Sequence, residues 1–186
     1  VSAADEIEGY GVPLGGVLTD PLLHVALFHP EIPPNTGNVG RLCVGYDLVL
    51  HLVHPLGFDI DEKAVRRAGL DYWKHVRLVE HRDAGAFWAW AEGRRVHAFT
   101  TRAERPFTAA RWAPGDVLLF GPESVGLPAS VVDAVVEAGG DAWRIPMWGP
   151  IRSLNLANAV SVATIHALTQ LVPAAFADPM EAGCVR

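Results

Sequence analysis

The chain has 186 residues, enough for one domain with a sizeable core. Half of the residues are hydrophobic, 19% are charged and mean hydropathy is +0.19, which excludes global disorder. No apolar run reaches the roughly 18 residues of a membrane span, and 15 Lys+Arg against 21 Asp+Glu (net charge −6) exclude nucleic-acid binding by bulk electrostatics, so any RNA must meet a local basic patch.

Residues 1–21 carry Asp5, Glu6 and Glu8 where an export signal would be basic, and are expected to be a flexible leader. Residues 22–172 are expected to form the domain and 173–186 a fraying tail. Short β-rich runs alternate with helical patterns, the signature of an α/β sheet. Strands are predicted at Leu23–Phe28, Leu48–Val53, Val96–Thr100, Val117–Phe120 and Trp143–Ile145. Helices are predicted at Thr36–Gly45, Asp61–Ala68, Ala84–Ala91, Ala129–Ala138 and Leu154–Leu171. The last is apolar nearly all round, so it must be covered on every side, and a second subunit is the expected cover. Cys43 and Cys184 lie far apart and form no CxxC, as in a reduced, cytoplasmic protein.

Helix Asp61–Ala68 places Asp61 and Glu62 at its start and Arg66 and Arg67 near its end, which complements the macrodipole. A self-compensating surface explains this. RNA contact is the other possibility, because Lys63, Arg66, Arg67, Lys74, Arg77 and Arg82 form the densest basic stretch, interleaved with Tyr72 and Trp73.

Several chemistries fall by inspection. There is no GxxxxGK[ST], no GxGxxG after a strand and no HExxH. His51 and His54, three apart on a predicted strand, point to opposite faces and are assigned structural roles, so no metal is expected. Gly121-Pro122-Glu123-Ser124-Val125-Gly126 is no nucleophile elbow, since Pro122 stands where GxSxG needs glycine.

Three clusters remain. In Pro30-Glu31-Ile32-Pro33-Pro34-Asn35-Thr36-Gly37-Asn38-Val39-Gly40-Arg41, Asn35 or Thr36 can cap a helix stiffened by the prolines. Arg41 early in that helix opposes the macrodipole and calls for a partner such as a phosphate. In Phe120-Gly121-Pro122-Glu123-Ser124-Val125-Gly126-Leu127-Pro128, two glycines allow close backbone approach to a ligand, although a plain strand–turn–helix connection uses the same residues. In Arg152-Ser153-Leu154-Asn155-Leu156-Ala157-Asn158, Ser153 is the expected N-cap. Asn155 and Asn158 share one face and need partners, either backbone groups that tie down a loop or a ligand.

Together and in this order, the clusters resemble the three motifs of SPOUT-superfamily RNA 2′-O-ribose methyltransferases. The flanking Glu31-Ile32-Pro33-Pro34, Arg66-Arg67-Ala68-Gly69-Leu70-Asp71-Tyr72 and Arg144-Ile145-Pro146-Met147 are similar to the small tRNA (cytidine/uridine-2′-O-)-methyltransferases of the TrmL (YibK) type, which act on the wobble nucleotide. The resemblance runs from about His24 to Leu171. It implies an α/β fold with a mainly parallel sheet, a C-terminal trefoil knot, a homodimer, S-adenosyl-L-methionine as cofactor and the tRNA anticodon stem-loop as substrate. Positions matching cofactor contacts are Phe99, Thr100, Gly121, Glu123, Gly126, Ile145, Met147, Ser153 and Leu154. Arg41 matches the central catalytic residue, with Asn35, Glu123, Ser153 and Asn155 around it. A guanidinium keeps its proton, so Arg41 is expected to grip an RNA phosphate while Asn35 fixes it. One departure is Ile165-His166, where relatives carry Tyr-Glu. The alternatives are a superfamily member acting on ribosomal RNA or another tRNA site, and a catalytically silent RNA-binding or cofactor-sensing module. The complete set of motif residues disfavours the silent module.

Overall fold

The structure, a computed structural model, describes residues 21–58 and 71–177. Its elements are β1 (Leu23–Phe28), α1 (Pro33–Gly45), β2 (Val49–Val53), a 3₁₀ turn (Asp71–His75), β3 (Arg77–His81), α2 (Ala84–Ala91) and β4 (Val96–Phe99). A second 3₁₀ turn (Phe107–Ala109), β5 (Asp116–Phe120), α3 (Ala129–Glu137), β6 (Asp141–Trp143), α4 (Leu156–Leu171) and α5 (Pro173–Phe176) follow. The expected leader (bar Pro21), the helix Asp61–Ala68 with Lys63, Arg66 and Arg67, and Cys184 lie outside the described residues.

The strands pair in parallel in the order β3-β2-β1-β5-β4-β6. β1, β2, β4 and β5 are buried throughout, as their mainly apolar runs, each with a single His or Asp, suit strands covered on both faces. Alternation sends Leu23, Val25 and Leu27 of β1 to one face, where α1 and α4 supply Val39, Cys43, Val160 and Ala163. Ala26 and Phe28 face the other layer, with Phe87 and Ala91 of α2 and Val135 of α3.

Three expectations need correction. Helix α1 begins at Pro33, so Asn35 and Thr36 lie inside it; Ile32 is the N-cap position and makes no side-chain cap. Two prolines in the first turn suit it because their missing N–H groups would have no helical partner there. The last strand is Asp141–Trp143 rather than Trp143–Ile145: Trp143 pairs with Phe99, and the chain leaves the sheet before Pro146, which cannot donate to a ladder. Asn155 caps α4 in place of Ser153, its Oδ1 accepting the Ala157 N–H at 3.0 Å. The edge strand β3 was not expected, since its exposed Arg77 and Glu80 hide the strand pattern. The tail begins with the four-residue α5.

On the α2 layer, three buried histidines form a line across three strands. His24 Nδ1 lies 2.9 Å from His51 Nε2, and His51 Nδ1 lies 2.9 Å from His81 Nε2, with Trp90 against all three rings. Burial first, then His24, His81 and Arg94, push the His51 imidazole down to about 3. His54, just beyond β2, instead bonds Glu80 at 2.8 Å, so the two histidines part as their spacing implied.

Candidate active site

Order reverses between β1 and β5: successive connections run to β2 and β3 on one side, then cross to β4 and β5 on the other. In an open parallel sheet the crevice at the carboxyl ends of such strands is where ligands bind. A cleft of about 310 Å³ lies there. Phe99 ends β4 and Thr100 follows it, Phe120 ends β5 and Gly121 follows it, Ile145 follows β6, and Ser153, Leu154 and Asn155 lead into α4. The apolar side chains give it one greasy wall and the loop ends a polar one.

A chain of hydrogen bonds ties three segments together on the polar side. Asn155 Nδ2 donates to Asn35 Oδ1 at 2.9 Å, and Asn35 Nδ2 donates to Glu123 Oε1 at 2.9 Å. The carboxylate can only accept, which fixes the orientation of both amides. Glu123 also accepts the backbone N–H of Glu31 at 2.8 Å and of Ile32 at 3.2 Å. The carboxylate thus supplies, from 91 and 92 residues away, the cap that α1 lacks locally, where the helix dipole favours negative charge. Glu31 returns the favour: its carboxylate accepts the Ser124 N–H at 2.9 Å and hydroxyl at 2.7 Å. Arg152 donates to the Ser124 carbonyl at 3.3 Å, joining the loop before α4 to the same clamp.

Gly121 shows why this loop tolerates no side chain. A Cβ there would sit 2.2 Å from the Leu127 nitrogen and 2.4 Å from the Gly126 carbonyl carbon, and Gly126 itself has φ of +71°. The loop therefore folds back on itself against the end of β5 and presents backbone to the cleft.

Of the residues singled out in the sequence, Asn35, Phe99, Thr100, Gly121, Glu123, Gly126, Ile145, Ser153, Leu154 and Asn155 line the cleft. Met147 and Arg41 do not. Arg41 is exposed on α1, six residues and about 9 Å of helix beyond Asn35. Asn35 is committed to Glu123 and Asn155, so it does not hold Arg41. The guanidinium instead lies 5.4 Å from the centroid of the Tyr72 ring, whose hydroxyl donates to the Gly37 carbonyl at 2.9 Å. Trp73 packs on Gly40, where a Cβ would approach its ring to 2.6 Å. The aromatics of the basic stretch thus brace α1 and Arg41. Asn155 and Asn158 are both exposed rather than deep, and the Asn155 amide is held by Asn35.

Thr101, Arg102 and Arg152 also line the cleft and Glu31 holds Ser124 behind it; none of the four was given a role as a site residue from the sequence. A carboxylate directly before two prolines at a helix start was the available signal for Glu31. His166 accepts the Trp112 indole N–H at Nδ1 (3.1 Å), and burial followed by Arg111 lowers its pKa.

Residues 22–165 match the SpoU rRNA Methylase family model. The chain belongs to that family. It is 45% identical over 150 residues to the tRNA (cytidine(34)-2′-O)-methyltransferase of Escherichia coli (strain K12), covering 81% of this chain and 94% of that one. The protein of the same name from Burkholderia ambifaria is 45% identical over 152 residues, covering 80% and 96%. A structure solved for insights into the 2-OH methylation of C/U34 on tRNA superposes with a TM-score of 0.73 at 48% identity, covering 81% and 97%. An RNA methyltransferase structure from Bacillus anthracis gives 0.73 at 37%, covering 80% and 93%. The expected SPOUT fold, an α/β knot with a mainly parallel sheet, is the fold of this family member.

Proposed function

We propose that this methylase transfers a methyl group from S-adenosyl-L-methionine to the 2′-hydroxyl of the wobble nucleotide, cytidine or uridine, of tRNA. The observation that carries the reading is the cleft at the sheet's switch point with Asn35, Glu123 and Asn155 hydrogen-bonded along its polar wall. The names of the 45%-identical relatives support the substrate.

The residues present fit the cofactor. Phe99, Phe120, Ile145 and Leu154 offer an apolar slot for an adenine, and the loop held close by Gly121 offers backbone groups to its edge. When bound, the cofactor supplies an activated methyl group on sulfonium sulfur, so the protein's task is alignment and help with loss of the hydroxyl proton. Glu123 already accepts three hydrogen bonds and serves better as an anchor than as a base. Asn35 and Asn155, locked by that anchor, are positioning residues that set the shape of the reaction space. Ser153 lines the cleft and is not used as the cap of α4, a position that Asn155 takes. Arg41, braced by Tyr72 and exposed, grips a substrate phosphate and so orients the ribose.

Lys74, together with Arg77 and Arg82, extends the basic surface, although Arg77 is paired with Asp47 at 3.4 Å and Arg82 with Asp83 at 3.2 Å. A homodimer, working in the cytoplasm, would bring two such surfaces together. Helix α4 supports it: Ala157, Val160, Ala163, Ala167 and Leu168 are buried within the subunit, while Val162 remains 39% exposed beside Asn158. The catalytic unit is residues 22–172.

The test is methyl transfer from labelled cofactor to unmodified tRNA, with the product mapped by mass spectrometry. A 2′-O-methyl group at the wobble nucleotide, lost in Arg41→Ala with an unchanged melting curve, is the expected result. Label at another ribose refutes the substrate, and near-normal turnover in Arg41→Lys refutes a grip that depends on the guanidinium's two parallel N–H donors.

A further inference from the structure

The charge along the cleft changes sign. The wall that follows β5 carries Glu123, with Glu31 clamped just behind it, whereas the wall that follows β4 carries Arg102. Two arginines line the cleft, and their circumstances differ. Arg152 is engaged by the Ser124 carbonyl. The Arg102 guanidinium makes no hydrogen bond or ion pair among the described residues, while its backbone is held, its N–H donating to Thr100 Oγ1 at 3.3 Å. Thr100 is itself anchored, its N–H donating to the Trp143 carbonyl at 2.9 Å. A tethered backbone thus presents an uncommitted cation in a cleft that also carries the Glu123 carboxylate.

Such a field orders a ligand that carries a cationic centre along its length and a carboxylate at one end. A sulfonium centre is favoured near Glu123 and the asparagines, and a carboxylate is favoured away from them, at the guanidinium. Resting on the cofactor assignment above, we propose that Arg102 is the specificity-determining residue for the carboxylate of the cofactor's amino-acid end. It selects ligands that carry that carboxylate and turns the sulfonium toward the asparagine wall.

The test is isothermal titration calorimetry with two ligands: S-adenosylhomocysteine, and S-adenosyl-3-thiopropylamine, which keeps the ammonium and lacks only the carboxylate. In Arg102→Gln, binding of S-adenosylhomocysteine should weaken about tenfold, while the decarboxylated ligand should stay within about twofold of its native affinity. The side chain is exposed, so the variant should melt with the native protein. Equal weakening of both ligands, or the selective loss appearing in Arg152→Gln instead, overturns the assignment. So does unchanged binding of both ligands with weakened tRNA binding, which would make Arg102 a phosphate contact. If the native protein binds neither ligand, the cofactor reading itself fails, an outcome distinct from all of these.

Discussion

Glu123→Gln is the sharpest probe of the clamp, because it keeps shape and removes only charge and one acceptor. The carboxylate accepts from the Glu31 N–H, the Ile32 N–H and Asn35 Nδ2 at 2.8, 3.2 and 2.9 Å. With its oxygen retained toward Ile32 and Asn35, the glutamine NH₂ must face the Glu31 N–H, donor against donor. A charge-assisted bond is worth about 1.5–3 kcal/mol, and the lost charge at the helix start adds about 0.3–1 kcal/mol. Because the side chain is only half-buried, water recovers part of this, leaving a loss of about 2 kcal/mol. For a chain of this size that lowers Tm by roughly 4–8 °C, readable by circular dichroism. Freed from its anchor, Asn35 should cost turnover about tenfold or more with little change in cofactor affinity. Glu31→Gln is the control: its carboxylate serves only exposed Ser124, so the loss should stay below about 1 kcal/mol. A Glu123→Gln protein that melts within about 1 °C of native and keeps full activity refutes the clamp.

Three further outcomes follow from other parts of the molecule. Gly121→Ala should destabilise the fold by about 2–4 kcal/mol and abolish cofactor binding, because the added carbon meets backbone at 2.2 Å and backbone cannot rotate away; a native urea midpoint would contradict this. His51 titrates near 3 when folded and near 6.5 when unfolded. The unfolded chain therefore binds the extra proton below 6.5, and stability should fall by about 1.4 kcal/mol per pH unit between 6.5 and 3 from this group alone. Ring titration by NMR should find His51 still neutral at pH 5, and a folded protein with His51 protonated there would refute it. The buried Cys43 thiol, pushed up to about 12 by burial, should resist alkylation in a native Cys184→Ser protein and react only on unfolding, as followed by mass spectrometry.

The sequence by itself determined the α/β class and four of the six strands to within a residue; of the twelve residues that the family resemblance singled out, ten line the cleft. Buried strands write themselves as runs such as LHVALF, and glycines with an intervening carboxylate mark a close-approach loop. What depends on partners far along the chain was not legible. Asn35 reads locally as a helix cap, and only the tertiary fold shows α1 capped by Glu123, leaving Asn35 free to join Asn155. Ser153 likewise reads as a cap until Asn155 takes the position. Edge strand β3 is charged and patternless, and becomes a strand because β2 offers it a ladder. The place of Arg41 outside the cleft, and of Arg102 inside it, follows from helix rise and strand order. Local pattern encodes which segments are buried; which polar groups then meet is decided by hydrogen bonds whose two halves lie about 90–120 residues apart.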